Sequence, residues 1–290
     1  MARIGAIFSP YPHPPEVFRD AVTAAEDAGL PELWLWEDCF RQSGFAAASM
    51  ALAWTERLRV GIGISPMPLR NVAISAMEVA TIARTFPGRF LPGFGHGVQS
   101  WMAQAGERVA SPLTLMREYV PTLRGLMAGE RVSIEGRYVT LDDVALDWPP
   151  PVPPRVYAAA EGPKTLRLSG EVADGTVLDS RRSPDELAAQ VAAVREGRAG
   201  RDGEHDVVAY VVAAFGSGAE ERVRADFAGQ ASPRDHIGRA LWGAPDAVAR
   251  GAQAFFAAGV DAVILLPAVG EGDLASFYAD AAEVARAVVS

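Results

Sequence analysis

Two stretches of this 290-residue chain hold residue types that could do chemistry at useful spacing. The first is FPGRFLPGFGHGVQSWMAQAG, residues 86–106. A short apolar strand over 89–94 runs into glycines at 93, 95 and 97, and His96, Gln99, Trp101 and Gln104 follow. Glycines at a strand's end let backbone N–H groups approach a flat or anionic molecule, because no Cβ intervenes. His96, between Gly95 and Gly97, is placed to act as an acid, a base or a ring hydrogen-bond donor, or else simply to satisfy loop backbone. The second stretch is Ala160, Glu161, Gly162, Pro163, Lys164 and Thr165. A glycine followed by proline at a helix's first turn leaves N–H groups free at the positive end of the helix dipole. That is a recipe for an anion or phosphate site with Lys164 beside it, and equally for an ordinary loop before a stiff helix start.

Other candidates are thinner. Arg181 and Arg182 could clamp a carboxylate or phosphate, or form a solvated pair beside Asp179, Asp185 and Glu186. Asp38 offers a carboxylate after an apolar strand, as a polar contact or as a cap. Cys39 lacks a basic neighbour close enough to make it a nucleophile, Arg41 being the nearest. With one cysteine and four scattered histidines, no metal-ligand spacing occurs, and no metal is expected. No hydrolase elbow, zinc-protease motif or paired carboxylate for glycoside chemistry is present.

The elements that must position these residues alternate. Apolar strand-like runs at 3–8, 32–36, 58–64, 89–94, 155–159, 174–178, 206–215 and 261–266 are each followed by helical spacing, with Gly29 as a C-cap and Ser111-Pro112 as an N-cap and first-turn proline. One interruption, 131–146, reads as a hairpin around Glu135-Gly136, followed by a proline-rich connector from Trp148. Eight strand–helix units predict an α/β fold, a closed (β/α)8 barrel forming one domain over 1–290. An open nucleotide-binding sheet would need a glycine fingerprint after the first strand, where Ser9-Pro10-Tyr11-Pro12 stands instead. In a barrel the strand ends form the active site. They bring together Ser9, Tyr11 and His13; Glu37 to Phe40; Ile64 to Met67; and the two stretches above.

Composition narrows the partners. Hydrophobic residues make up 49 % of the chain, enough for a large core, and its formal net charge of -9 argues against nucleic acid. No apolar run is long enough for a membrane span, and the reading is a cytoplasmic protein acting on a small molecule.

With these residues in view, the chain resembles the bacterial luciferase-like monooxygenase superfamily over nearly its whole length. LRVGIGISPMPLRN (58–71), the 86–106 segment, SPLTLMREYVPTLRGLMAGERVSIEGRYV (111–139) and AAAEGPKTLRLSGEVADGTVL (158–178) carry the resemblance. The last is most like the deazaflavin branch, which includes methylenetetrahydromethanopterin reductase. The resemblance implies a TIM-like barrel holding coenzyme F420, or FMN, in its mouth, as an oxidoreductase transferring a hydride between the deazaflavin and a small organic substrate or as a monooxygenase using reduced flavin, with a catalytically silent cofactor-binding protein as the remaining alternative. A strand-three bulge at Gly63-Ile64-Ser65, often with a non-prolyl cis peptide, would back the ring. Gly95, His96 and Gly97 would meet its edge, Ala160 to Lys164 its phosphate, and Asp38 the cofactor or substrate. His96 and Asp38 are the catalytic candidates. Ser9, Trp36, Cys39, Trp101, Arg181 and Arg182 are assigned to the substrate side, with Phe40 and Met67 as further wall residues. The resemblance also implies a homodimer and, in the FMN case, a partner flavin reductase. The sugar-phosphate dehydrogenases of the branch carry histidine where Cys39 stands and glutamate where Val98 stands, so their reaction is not expected here.

Overall fold

A computed structural model describes residues 2–230 and 235–289; Met1, residues 231–234 and Ser290 lie outside the described residues. The wall of the fold is a ring of parallel strands. It begins with β1 (Arg3–Phe8) and β2 (Glu32–Leu35). The third strand is split into β3 (Arg59–Ile62) and β4 (Ser65–Pro66), and the fourth into β5 (Phe90–Leu91) and β6 (Gly93–Gly95). After an antiparallel hairpin of β7 (Val132–Glu135) and β8 (Thr140–Val144), the ring continues with β9 (Tyr157–Ala159), β10 (Gly175–Leu178) and β11 (Asp206–Phe215). An extra short strand, β12 (Ala240–Gly243), precedes the last, β13 (Ala262–Pro267).

Each ring member pairs in parallel with the next: β1 with β2, β2 with β3, β3 with β5, β4 with β6, β6 with β9, β9 with β10, β10 with β11, β11 with β13 and β13 with β1. Both split strands take part on both sides, so the ring closes on eight strands, as the alternation predicts.

Helices α1 (Phe18–Ala28), α2 (Gly44–Trp54), α3 (Val72–Thr85), α4 (Gln99–Gln104), α5 (Pro112–Met127), α6 (Pro163–Val172), α7 (Pro184–Arg198), α8 (Ala219–Ala228), α9 (Pro245–Ala257) and α10 (Leu274–Val289) connect the strands. With helices outside and side chains inside, a strand is buried on both faces and reads as an unbroken apolar run; all ten residues of β11 are buried. Helix starts follow local chemistry. Asn71 Oδ1 accepts the Ala73 N–H at 2.9 Å, and Ser183 and Glu186 form a reciprocal capping box on α7. Ser111 caps α5 and Gly29, at φ +74°, ends α1, both as expected. The hairpin is tied to α5 by the Glu118 carboxylate, which accepts the N–H groups of Arg137, Tyr138 and Val139.

The floor of the barrel is polar. Arg3, Glu32, Tyr157 and Asp206 each open a strand. Arg3 bonds Glu32 at 3.0 Å and Asp206 at 2.6 Å, the Tyr157 hydroxyl donates to the same Asp206 oxygen at 2.7 Å, and Trp34 Nε1 donates to Glu32. Among the described residues, no helix is long and apolar enough to cross a membrane.

Three differences from the expected elements have local causes. Pro92 has no N–H for the ladder and splits the fourth strand, although its carbonyl still accepts the Tyr157 N–H at 2.9 Å. The fifth strand starts at Tyr157 rather than 155, because the Val156 N–H bonds the Asp174 carboxylate instead of a neighbouring strand. Finally, β12, which carried no strand signal, pairs with residues 212–215, the part of β11 that extends beyond its pairing with β10.

Outside the barrel, His205 Nε2 lies 2.8 Å from Thr176 Oγ1, which in turn lies 2.6 Å from Ser169 Oγ. Burial, with Arg198 adding to it, pushes His205 down to about 4. The unfolded chain therefore binds the proton first as pH falls. This group's contribution to stability is complete above about 6.5 and is lost on acidification towards about 4. In His205→Gln, urea unfolding measured from pH 7 to 4 should show a shallower loss of stability than wild type.

Candidate active site

The C-terminal ends of the ring strands enclose a cavity of about 980 Å³. Its back wall is the break in the third strand. The Gly63–Ile64 peptide is cis, at the position the resemblance indicated. The Gly63 N–H donates to the Leu35 carbonyl at 2.8 Å, and the Tyr210 hydroxyl, reaching from β11, donates to the Gly63 carbonyl at 3.1 Å. A Cβ at position 63 would lie 1.6 Å from that hydroxyl, so only glycine fits. Ser65 is wholly buried and faces away from the cavity; its hydroxyl accepts from Arg70 Nη1 at 3.1 Å. Arg70 also pairs with Glu37 and Glu78, and Glu37 accepts the Gly44 N–H at 2.8 Å, which ties the end of the second strand to the break in the third.

The glycine-rich segment divides in two. Gly93 and Gly95 serve the barrel rather than a ligand: a Cβ on Gly93 would strike the Ile62 carbonyl at 2.3 Å, and one on Gly95 the Ile64 side chain at 2.9 Å. Gly95 is therefore not a cavity residue, and its missing side chain makes room for Ile64. His96 and Gly97 do line the cavity, and Trp101 on α4 faces it. Both ring nitrogens of His96 are buried without a partner. Burial also holds this imidazole below the ordinary histidine range. A neutral ring offers one donor and one acceptor, both left for a ligand.

Of the loop before α6, Ala160, Glu161 and Gly162 line the cavity, as does Thr165 in the helix's first turn. Gly162 opens the helix with no side-chain cap, and no atom lies within 4 Å of where its Cβ would stand. Pro163 and Lys164 are exposed and lie outside the cavity wall. The two arginines also part ways. Arg181, at φ +64°, reaches the wall but is committed to Asp226, at 2.6 and 3.0 Å, and to Ser180 Oγ at 3.0 Å. Asp226, 2 % exposed on α8, also accepts the Val269 N–H at 3.1 Å, so the pair ties the loops after β10 and β13 together. Arg182 does not face the cavity. An arginine clamp open to an anionic substrate is thus not what this sequence builds.

On the opposite side, Ser9, Trp36 and Asp38 line the cavity as expected. Ser9 Oγ accepts the Tyr11 N–H at 3.4 Å, and the Tyr11 hydroxyl donates to Asp38 Oδ2 at 2.7 Å. The Tyr11 ring meets Trp36 edge-on at 6.1 Å. Burial pushes the Asp38 carboxyl above the usual carboxylate range, against the pull of the Tyr11 hydrogen bond and Arg41, with Asp179 reinforcing the rise. Cys39 lies outside the cavity wall; burial and the neighbouring Glu37 and Asp38 raise its thiol, which opposes a nucleophilic role. Phe40 is 70 % exposed and Met67 is buried in the core, so neither walls the pocket. The Cys39–Phe40 peptide is cis as well.

Tyr210 and Asp226 were not singled out from the sequence. Tyr210 sits in an unbroken apolar run with no period-two signal to set it apart, and Asp226 gives no local signal within a helix rich in charge. Tyr11 and Glu37, known only as strand-end residues, and Asp179, known only as an acid beside the two arginines, also line the cavity. Among the described residues, no cluster of three or more histidine, cysteine or carboxylate side chains could hold a metal ion. What remains is a deep pocket with an aromatic and glycine shelf, one histidine with open hydrogen-bonding capacity and one hydrogen-bonded carboxylate. Such a site suits a planar organic ring and proton movement beside it.

Known proteins are similar to this chain in sequence and in fold. The 5,10-methylenetetrahydromethanopterin reductase of Methanolobus tindarius is 30 % identical over 188 residues, covering 64 % of this chain and 57 % of that protein. The F420-dependent glucose-6-phosphate dehydrogenase of Beutenbergia cavernae is 32 % identical over 197 residues, covering 62 % and 57 %. The chain thus matches little more than half the length of either relative. Among solved structures, an F420-dependent secondary alcohol dehydrogenase in complex with an F420-acetone adduct superposes with a TM-score of 0.84 at 21 % identity, over 99 % of both chains. A sequence model described as luciferase-like monooxygenase matches residues 2–253. With that match covering most of the barrel, the chain belongs to the luciferase-like monooxygenase family.

Proposed function

We propose that this protein is an oxidoreductase that binds coenzyme F420 in the barrel mouth and transfers a hydride between it and a small organic substrate. The observation that carries the reading is His96, which lines the same cavity as the Gly63–Ile64 shelf and whose two buried ring nitrogens have no partner. The names of the two curated relatives support it. The residues present fit the cofactor. Gly63 and Ile64 would back its ring, His96 and Gly97 would meet the ring edge, and Ala160, Gly162 and Thr165 would hold the phosphate at the uncapped start of α6. When bound, the deazaflavin ring supplies a carbon that gives or takes a hydride.

The chain's own residues do the rest. The Tyr210 hydroxyl fixes the shelf through the Gly63 carbonyl, and the aromatic wall of Trp36 and Trp101 keeps water from the reacting face. Asp38 and His96 are the groups able to hold a proton next to the ring. Ser9, Trp36 and Trp101 frame the substrate side. Oxidation of a sugar phosphate is not favoured. Arg181 is already paired with Asp226, and Val98 and Cys39 replace the proton-handling residues of that reaction. A homodimer in the cytoplasm is the setting we propose.

The family also supports a second reading: an FMN-dependent monooxygenase supplied with reduced flavin by a partner reductase. An anaerobic titration of the purified protein with F420 and with FMN, followed by cofactor fluorescence, separates the two. Saturable binding of F420 with weak or no binding of FMN is expected. Saturable FMN binding with no F420 binding would overturn the proposal.

A further inference from the structure

The mechanism above gives Asp38 a proton to hold but no task to Tyr11, its hydrogen-bond partner in the cavity. Tyr11 follows β1 and Asp38 follows β2, so two neighbouring strand ends bring them together, 2.7 Å apart between Oη and Oδ2. Both line the cavity, and Tyr11 is 44 % exposed. The Arg41 guanidinium lies 4.0 Å above the phenol ring, and the edge of Trp36 packs against it. Because the Tyr11 proton points at the carboxylate, the phenol oxygen keeps a lone pair free for a donor on a ligand.

We propose that Tyr11 and Asp38 form the proton relay of this site and that the substrate is an alcohol–carbonyl pair. The inference rests on the hydride-transfer reading given above. During alcohol oxidation the substrate O–H bond breaks and its proton bonds to Tyr11 Oη. The Tyr11 proton passes to Asp38 Oδ2. The electron pair left on the substrate oxygen forms the carbonyl bond as the carbon-bound hydrogen leaves, as hydride, to the oxidised deazaflavin. Reduction runs each transfer backwards. The Arg41 guanidinium, held over the ring face, favours the negative character that the phenol oxygen acquires midway.

Charged and titratable groups around the pair fit a relay rather than a free tyrosinate. Arg41 and Cys39 approach Asp38 from its own loop, Asp179 from the loop after β10, and Tyr210 from β11. Burial and Asp38 push the Tyr11 hydroxyl up to about 12, so it passes a proton on rather than standing ionised. Asp38 is the eventual holder.

The experiment compares wild type, Tyr11→Phe and Asp38→Asn in three measurements. Cofactor fluorescence gives F420 affinity. Carboxyl carbon NMR follows the titration of Asp38, its resonance identified by absence from Asp38→Asn. Reduction of F420 by 2-propanol, cyclohexanol and benzyl alcohol, and the reverse reaction with their carbonyl partners, gives rate against pH. In Tyr11→Phe, F420 affinity should stay within about twofold. The Asp38 titration should move to higher pH, because a hydrogen bond that favoured the carboxylate is gone. Turnover should fall roughly 100-fold, and the acid limb of the oxidation profile should move to higher pH with Asp38. An unchanged Asp38 titration, a Tyr11→Phe rate within about threefold of wild type, or no turnover of any alcohol or carbonyl by F420-loaded wild type would each overturn the relay. Failure of wild type to bind F420 is a separate readout, which removes the hydride-transfer reading and the relay with it.

Discussion

Gly63→Ala should destabilise the protein by about 3 kcal/mol, the upper part of the range for overpacking a filled interior, and should abolish cofactor binding by whatever fraction remains folded. The added methyl would stand 1.6 Å from the Tyr210 hydroxyl and 3.0 Å from the Trp34 ring. Tyr210 is buried at the centre of β11 and cannot swing away. Either the shelf shifts or the barrel wall does, and both change the cavity's back. Tyr210→Phe removes the atom that the methyl strikes. The double variant Gly63→Ala/Tyr210→Phe should therefore recover part of the loss, whereas Tyr210→Phe alone should cost only the net worth of a hydrogen bond, about 1 kcal/mol. Urea unfolding of the four proteins reads this cycle. A Gly63→Ala variant as stable as wild type would show that the shelf has slack the packing does not suggest.

Arg3→Ala should cost about 3 kcal/mol, at the low end for breaking a buried pair because Arg3 is 23 % exposed while its partners are not. The substitution leaves the carboxylates of Glu32, 0 % exposed, and Asp206, 4 % exposed, at the barrel floor without their cation. Trp34 and Tyr157 still donate to them, but neither neutralises charge. Glu32→Gln/Asp206→Asn, added to Arg3→Ala, should restore a good part of the stability, since the neutral amides carry no charge to desolvate. The floor lies at the end of the barrel opposite the cavity, so cofactor affinity of the folded Arg3→Ala protein should match wild type. Thermal unfolding alongside a cofactor titration checks both halves. A large loss of affinity without loss of stability would contradict this separation.

The barrel was legible in the sequence because its signals are local and repeated. Ten-residue apolar β11, the capping residue Ser111, and Gly29 at a helix end all act within a few residues of where they are read. The hairpin announced itself by a break in the alternation. The site was only partly legible. His96, Gly97, Gly162, Asp38, Trp36 and Trp101 face the cavity as expected, since the ends of parallel strands must converge. Gly93 and Gly95 carried a glycine signal with two causes, close approach to a ligand or to a neighbouring strand, and sequence cannot tell these apart; Ile62 and Ile64 decide for the second. Arg181 looked free because its partner, Asp226, lies 45 residues away on α8. Tyr210 was hidden for the same reason: its hydroxyl acts on Gly63, 147 residues distant. Contacts of that separation leave no trace in spacing.

The account's central claim is that the cavity bounded by Gly63–Ile64, His96 and the start of α6 is a deazaflavin site. A crystal structure of the protein with F420 tests it most directly. The predicted result has the deazaflavin ring lying on Gly63–Ile64, a polar atom of the ring or its side chain bonded to a His96 ring nitrogen, and the phosphate at the backbone of Gly162 to Thr165. A ring bound elsewhere in the cavity, with His96 still unpartnered and the α6 terminus empty, would contradict the account.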